Sequence, residues 1–254
     1  MSAHEWDGSS YDRISTIQQG LGAEVLARLQ LEGDETVLDA GCGSGRISEM
    51  LAARLPHGRV IALDASASML VAARERLARL IDEERVQVLC GDLLELELEQ
   101  PLDAILSTAT FHWIADHERL FTRLRAALRP GGRLVAQCGG EGNISGLRGR
   151  ARELLTREPY AAHFAAWRTP WNYAPAEPTR ERLLAAGFAH ADCWLEPAPR
   201  EPDEPREFLA TIVFGPHVQQ LPPELREQFI DDIITAVGEP VVIDYVRLNI
   251  DATA

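Results

Sequence analysis

Short apolar runs, each closed by a small or acidic residue, recur along the first 140 positions with amphipathic stretches between them. Strands are predicted at Thr36–Ala40, Arg59–Asp64, Val86–Cys90, Leu102–Ser107 and Arg133–Cys138, apolar enough to be covered on both faces. Helices are predicted between them, at Gly22–Leu29, from Arg46 to Arg54, at Ala67–Leu80 and at Asp116–Leu128. The clearest is Ala67–Leu80, where Met69, Ala72, Ala73, Leu77 and Leu80 recur at helical spacing and Arg74, Arg76 and Arg79 fall mostly outside. Arg129-Pro130-Gly131-Gly132 reads as a helix stop and turn before the fifth strand. Strands alternating with helices predict an α/β fold, a doubly wound parallel sheet with right-handed crossovers.

Beyond residue 140 the alternation weakens. Ser145–Glu158 has a helical pattern, and Tyr160, His163, Phe164, Trp167, Trp171 and Tyr173 crowd one short stretch. Thr179–Ala186 before Gly187 reads as a capped helix and Ala191–Glu196 as a strand. Pro197–Pro205 reads as a linker, Glu204–Phe214 and Pro223–Val237 as helices, and Val241–Ile250 as a closing strand.

Composition narrows the chemistry. The 254 residues are 46% hydrophobic and 25% charged, ordinary for a folded chain with a large core. A net charge of -14 without a basic stripe opposes nucleic acid as a partner. All 25 cationic side chains are arginine, which excludes a phosphate-loop lysine and a Schiff-base lysine. Cys42, Cys90, Cys138 and Cys193 are far apart, so neither a zinc site nor a redox pair is expected and no metal is assigned. Without a signal peptide or an apolar run of membrane length, a cytoplasmic protein with no membrane partner is expected.

The densest chemical signal is Asp39-Ala40-Gly41-Cys42-Gly43-Ser44-Gly45, which follows the first strand, with Asp64 ending the second. Glycines let the backbone turn tightly against a bulky ligand, and a carboxylate at the next strand end suits the two hydroxyls of a ribose. A dinucleotide fingerprint needs its third glycine where Arg46 stands, and pyrophosphate has no use for the acidic Asp39. A cationic sulfonium amino acid does, so the turn reads as a methyl-donor site.

With Asp39 to Gly45, Ala62-Leu63-Asp64, Gly91-Asp92 and Arg129 to Gly132 standing in order at strand ends, the chain resembles class I S-adenosylmethionine-dependent methyltransferases from about residue 20 onward. The resemblance implies a Rossmann-like seven-stranded sheet of order 3-2-1-4-5-7-6 with the last strand antiparallel. It implies one domain over 1–254, with cap elements at about 1–21, 144–176 and 201–238 closing over the cofactor. Carried over by position, Asp39, Gly41, Cys42, Gly43 and Gly45 would meet the methionine part of the donor and Asp64 with Ala65 the ribose. Asp92, beside Gly91, would meet the adenine amino group, with Met69, Cys90 and Leu93 against the ring and Thr108 nearby. The competing reading of Asp64 and Asp92 is helix capping.

Ser107 to Ile114, followed by Asp116-His117, and the tail Asp244 to Asn249 are similar to the corresponding segments of the trans-aconitate methyltransferase group and related enzymes that esterify small acids. His112 and Trp113 are therefore the candidate catalytic residues, and Arg148, Arg168 and Arg247 the candidates to hold an anionic acceptor. The resemblance implies O-methylation of a small carboxylic acid, with S-adenosyl-L-homocysteine as by-product. A phenol, amine or carbon acceptor would require His112 as base. A donor-binding protein without catalysis is the rival outside enzymology. Acceptor identity, pathway and oligomeric state are written in none of these motifs.

Overall fold

A computed structural model of the chain describes residues 16–254, with side chains from Gly20. Trp6, Tyr11 and most of the cap element expected at about 1–21 lie outside the described residues. Elements alternate as α1 (Thr16–Arg28), β1 (Thr36–Ala40), α2 (Arg46–Ala53), β2 (Arg59–Asp64), α3 (Ala67–Asp82), β3 (Val86–Cys90), β4 (Leu102–Thr108), α4 (His117–Ala127) and β5 (Leu128–Gly139). Then come α5 (Ser145–Leu155), α6 (Ala161–Phe164), α7 (Ala176–Ala185), β6 (His190–Pro197), α8 (Pro205–Phe208), α9 (Gly215–Gln220), α10 (Pro223–Val237) and β7 (Val246–Thr253). The strands form one sheet of order β3-β2-β1-β4-β5-β7-β6. The first five are parallel, and β7 runs antiparallel to both β5 and β6.

Successive strand residues point to opposite faces, and that alternation splits the core in two. Val37, Ala62, Ala104, Leu106 and Val135 pack beneath α1, α2 and α3 with Leu51, Leu70 and Leu77. Leu38, Leu63, Ile105, Leu134 and Ala136 pack on the other face with Leu120, Phe121 and Leu124 of α4 and Leu183 of α7. Central strands β1 and β4 are buried almost throughout, whereas β6 at the edge is mostly exposed or half-buried. A third cluster belongs to the late helices, where Tyr160, Phe208, Phe214, Phe229 and Ile233 pack with Val241, Ile243 and Tyr245. Among the described residues no helix is long and apolar enough to cross a membrane.

Several expected boundaries move. The segment 241–245 is not part of the last strand, because Val241, Ile243 and Tyr245 bury their side chains among the late helices and the β7 ladder begins at Val246. The stretch 204–214 is broken into α8 and a π-helical turn, Leu209–Val213, in which Phe214 N–H reaches back to Leu209 C=O at 2.7 Å. Thr179 is not a helix cap: α7 starts three residues earlier, and the Thr179 hydroxyl donates to Pro175 C=O. Arg129–Gly132 interrupts the strand instead of preceding it. Leu102 faces Leu128 but Ala104 faces Arg133, so the intervening residues bulge, with Gly131 at φ 76° and its N–H on Ala254 C=O.

Leu77 is fully buried against the glycine turn, 2.8 Å from where a Cβ on Gly45 would stand. Leu77→Ala is expected to lower stability by about 2–5 kcal/mol, measured by urea unfolding. A loss under about 1 kcal/mol would contradict close packing of α3 on the turn.

Candidate active site

The turn after β1 is built by its backbone. Gly41, Gly43 and Gly45 have φ of 84°, 53° and 80°, a region that costs a side chain dearly. Gly41 and Cys42 donate to Leu63 C=O at 2.8 and 3.0 Å, folding the turn over the end of β2. A Cβ on Gly41 would strike the Thr110 hydroxyl, and one on Gly45 would strike Leu77. Only at Gly43 would it meet open space within 4 Å, so Gly43 is the glycine of the three whose face is free for a ligand. Thr110, which sequence reasoning passed over, locks the turn to the loop after β4 through its hydroxyl to Gly41 C=O.

Asp39 is fully buried at the root of this turn. Ser48 donates to its Oδ2 at 2.6 Å, while Oδ1 is buried without a partner among the described residues. Burial raises its pKa to about 7, opposed by the Ser48 hydrogen bond and reinforced by Asp64. An unpaired carboxylate oxygen at such a place fits a cationic ligand group above the turn. Asp64 accepts from Gly43 N–H at 2.9 Å and from Ser66 N–H at 2.8 Å. The Asp92 carboxylate accepts from Leu94 N–H and caps the turn Leu93–Glu95. Capping is thus an occupation of Asp92 alone, since the N-cap of α3 is Ser66 and Asp64 instead ties the start of that helix to the glycine turn. Gly91 N–H on Asp64 C=O brings the ends of β2 and β3 together.

Among the other donor-side candidates, Ala65 and Asp92 are exposed and Thr108 is half-buried, whereas Met69 and Leu93 are buried. Cys42 turns into the core beneath α1 to α3, where burial pushes its thiol up. It contributes to the turn through its backbone. Cys90 is exposed at the end of β3.

The loop after β4 is held out of regular geometry. Ala109 has φ 55°, with its N–H on Gln137 C=O at 2.7 Å, and the short turn Phe111–Trp113 follows. His112 is buried, and its Nδ1 accepts from Gly139 N–H at 3.3 Å. A neutral imidazole that accepts at Nδ1 carries its proton on Nε2. Burial, then the positive Arg247 and His117, push its pKa down to about 3. Its ring lies 5.1 Å from Trp113 and 5.7 Å from Tyr173.

Residues 171–173 are tied onto this loop. Asn172 N–H donates to His112 C=O and its amide to Ile114 and Ala115 C=O. Trp171 and Tyr173 stack with planes 10° apart, and Arg148 lies over both rings at 5.9 and 5.3 Å. Arg247, buried on β7, extends past Tyr245 and donates through Nε to Gln137 at 3.3 Å. Neither Arg148 nor Arg247 pairs with a carboxylate among the described residues. Arg168 is exposed and joins none of these contacts.

Sequence reasoning also missed His217. It is buried among Phe164, Trp167, Trp171, Phe214 and Phe229, and no motif marked it. The described residues contain no cluster of three His, Cys, Asp or Glu able to hold a metal. A 480 Å³ depression lined by Glu118, Thr122, Pro178, Glu181 and Arg182 opens between α4 and α7. It shares no residue with the turn or the aromatic group, so the chemistry is not placed there.

A family model described as a methyltransferase domain matches residues 37–132. The trans-aconitate 2-methyltransferase of Methylobacterium nodulans is 32% identical over 195 residues, 76% of this chain and 68% of the relative. That of Paracidovorax citrulli is 32% identical over 241 residues, 89% of this chain and 86% of the relative. Haemonchus contortus phosphoethanolamine N-methyltransferase 2, solved with phosphomonomethylethanolamine and S-adenosylhomocysteine, matches with a TM-score of 0.63 at 20% identity. The match takes in 97% of this chain and 56% of that one, and the likeness is one of fold.

The buried Asp39 carboxyl makes a prediction of its own. Its folded pKa, about 7, exceeds the ordinary 3.8, so the folded chain binds a proton the unfolded chain has released. The stability this gives is full below about pH 4 and disappears as pH rises through 7. It is on the order of 4 kcal/mol for a shift of this size. Without ligand, unfolding free energy should therefore fall between pH 4 and 7 more steeply than in Asp39→Asn. Parallel pH profiles for the two proteins would contradict it.

Proposed function

The chain belongs to the class I S-adenosylmethionine-dependent methyltransferases, and on that premise we propose that it methylates a carboxylate oxygen of a small organic acid. Its cofactor is S-adenosylmethionine, released as S-adenosylhomocysteine; when bound, the cofactor supplies an electrophilic methyl group on a sulfonium sulfur. The trans-aconitate 2-methyltransferases to which the chain is similar point to the same acceptor class.

On the donor side, the unpaired Asp39 Oδ1 and the open face of Gly43 suit the charged amino-acid end of the cofactor. Asp64 and Asp92 stand at adjacent strand ends for the ribose and the base, each with backbone donors already holding its carboxylate in place. The late helices from 144 and from 205 onward, with their own apolar core, are read as a cap closing one domain. A cytoplasmic enzyme without nucleic-acid partners fits its charge.

The observation that carries the acceptor assignment is the hydrogen bond from Gly139 N–H to His112 Nδ1. It occupies the lone pair a base would need and leaves an N–H at Nε2. His112 can therefore orient an oxygen that is already anionic, but it cannot take a proton from a phenol or an amine. Arg247 adds positive charge at His112, and Arg148 joins it at the neighbouring Tyr173, as an anionic acceptor requires in so acidic a chain. Trp113, Trp171 and Tyr173 line the site with half-buried rings, apolar surface that suits a reaction favoured by a dry site. Because a carboxylate has no proton to lose, the residues need only place it in line and dry.

Assay with radiolabelled donor against a panel of small acids and phenols tests the class: acids should be labelled, and labelling of phenols alone would overturn it. Asp64→Ala is expected to weaken donor binding roughly tenfold to more than a hundredfold, equivalent to about 1.5–3 kcal/mol. Unchanged affinity by calorimetry would remove Asp64 from the site. His112→Gln should cost on the order of tenfold and leave the rate flat from neutral to mildly alkaline pH. A general base would cost about 10²–10⁴-fold, so a loss beyond a thousandfold with donor affinity intact would favour a phenol or amine acceptor.

A further inference from the structure

Beneath Arg247 lies a chain of polar side chains crossing the apolar face of the sheet. Arg247 Nε donates to Gln137 Oε1 at 3.3 Å, Gln137 Nε2 donates to Asn249 Oδ1 at 2.9 Å, and Asn249 Nδ2 donates to Glu196 Oε2 at 3.2 Å. All the donors point the same way. The direction is fixed at Asn249, whose Oδ1 also accepts from Arg28 of α1. Arg28 is itself held by Ala136 C=O at 2.8 Å and Ile250 C=O at 3.2 Å. With Asn249 Oδ1 facing it, the Gln137 amide must present nitrogen to Asn249 and oxygen to Arg247. Gln137, Asn249 and Arg247 are each nine-tenths or more buried, where polar side chains are costly unless they do something.

Resting on the carboxylate reading, we propose that Gln137 is a positioning residue that aims Arg247 at the acceptor without neutralising it. Gln137 faces Asn249 across the β5–β7 ladder and Arg247 faces Gly139, two residues along. The amide therefore grips only Nε and leaves the two terminal nitrogens of the guanidinium for an acceptor carboxylate. A glutamate at 137 would hold the same nitrogen but would satisfy the charge the acceptor needs. An amide gives direction and keeps the charge.

The test uses full-length protein saturated with S-adenosylhomocysteine and titrated with trans-aconitate as the probe, for wild type, Arg247→Ala, Gln137→Glu and Gln137→Met. Gln137→Met keeps the volume and drops both bonds, guarding against a Gln137→Glu chain that does not fold. Wild type should bind the probe at least tenfold more tightly than Gln137→Glu and severalfold more tightly than Gln137→Met, with S-adenosylhomocysteine affinity unchanged in each. In turnover, KM for the acceptor should rise while kcat changes less, a split that general loosening of the fold would not produce. Wild type binding the probe no better than Arg247→Ala would overturn the carboxylate reading and this proposal together. Arg247→Ala weakening the probe while both Gln137 variants bind like wild type would overturn this proposal alone.

Discussion

The antiparallel pairing of β7 with β5 is the constraint from which the proposed acceptor side of the molecule follows. A strand running against its neighbours sets Gly139 opposite Arg247 and Gln137 opposite Asn249. It thereby delivers residues from the end of the chain to the carboxyl ends of β4 and β5, where doubly wound sheets keep their sites. The same ladder end offers Gly139 N–H to His112. The meeting of Arg247 with Gln137, and of Gln137 with Asn249, depends on that one register. A one-residue slip of β7 would turn Arg247 and Asn249 to the other face of the sheet.

Charge is distributed along the site in opposite senses. The buried Asp39 and the strand-end Asp64 lie under the glycine turn, while Arg148 and Arg247 lie by the aromatic group next to the loop after β4. In the proposed reaction a cation bound at the first end meets an anion bound at the second, and methyl transfer abolishes both charges. In a chain of net charge -14, arginines that meet no carboxylate among the described residues are the groups that an anion site would need.

Much of the sheet was legible because a doubly covered strand announces itself: β1, β2 and β3 begin and end where their apolar runs do. The last strand was not, because Val241, Ile243 and Tyr245 alternate like strand residues while their partners are helices. An extended segment packed on a helical core has the same period of two. The π-helical turn at Leu209–Val213 was invisible for a related reason, since one extra residue per turn hardly alters an apolar face. Strand-end acids and glycines carried the expectation of a donor site, as their chemistry is local. Gln137 and Asn249 were readable in principle, each a polar residue inside an apolar strand, but only the register of β5 on β7 joins them. His217 carried no signal at all, being one polar residue among rings from 164–171, from Phe214 beside it and from Phe229.

The claim on which the account turns is that the Gly139 amide holds His112 as a neutral donor. Nitrogen-15 NMR of the imidazole in the cofactor-bound protein reads this directly. The account predicts an acceptor-type Nδ1 and a protonated Nε2, unchanged between pH 5 and 9, in keeping with a pKa pushed down to about 3. A ring protonated at Nδ1, or one that titrates near the ordinary value of about 6.5, would contradict it.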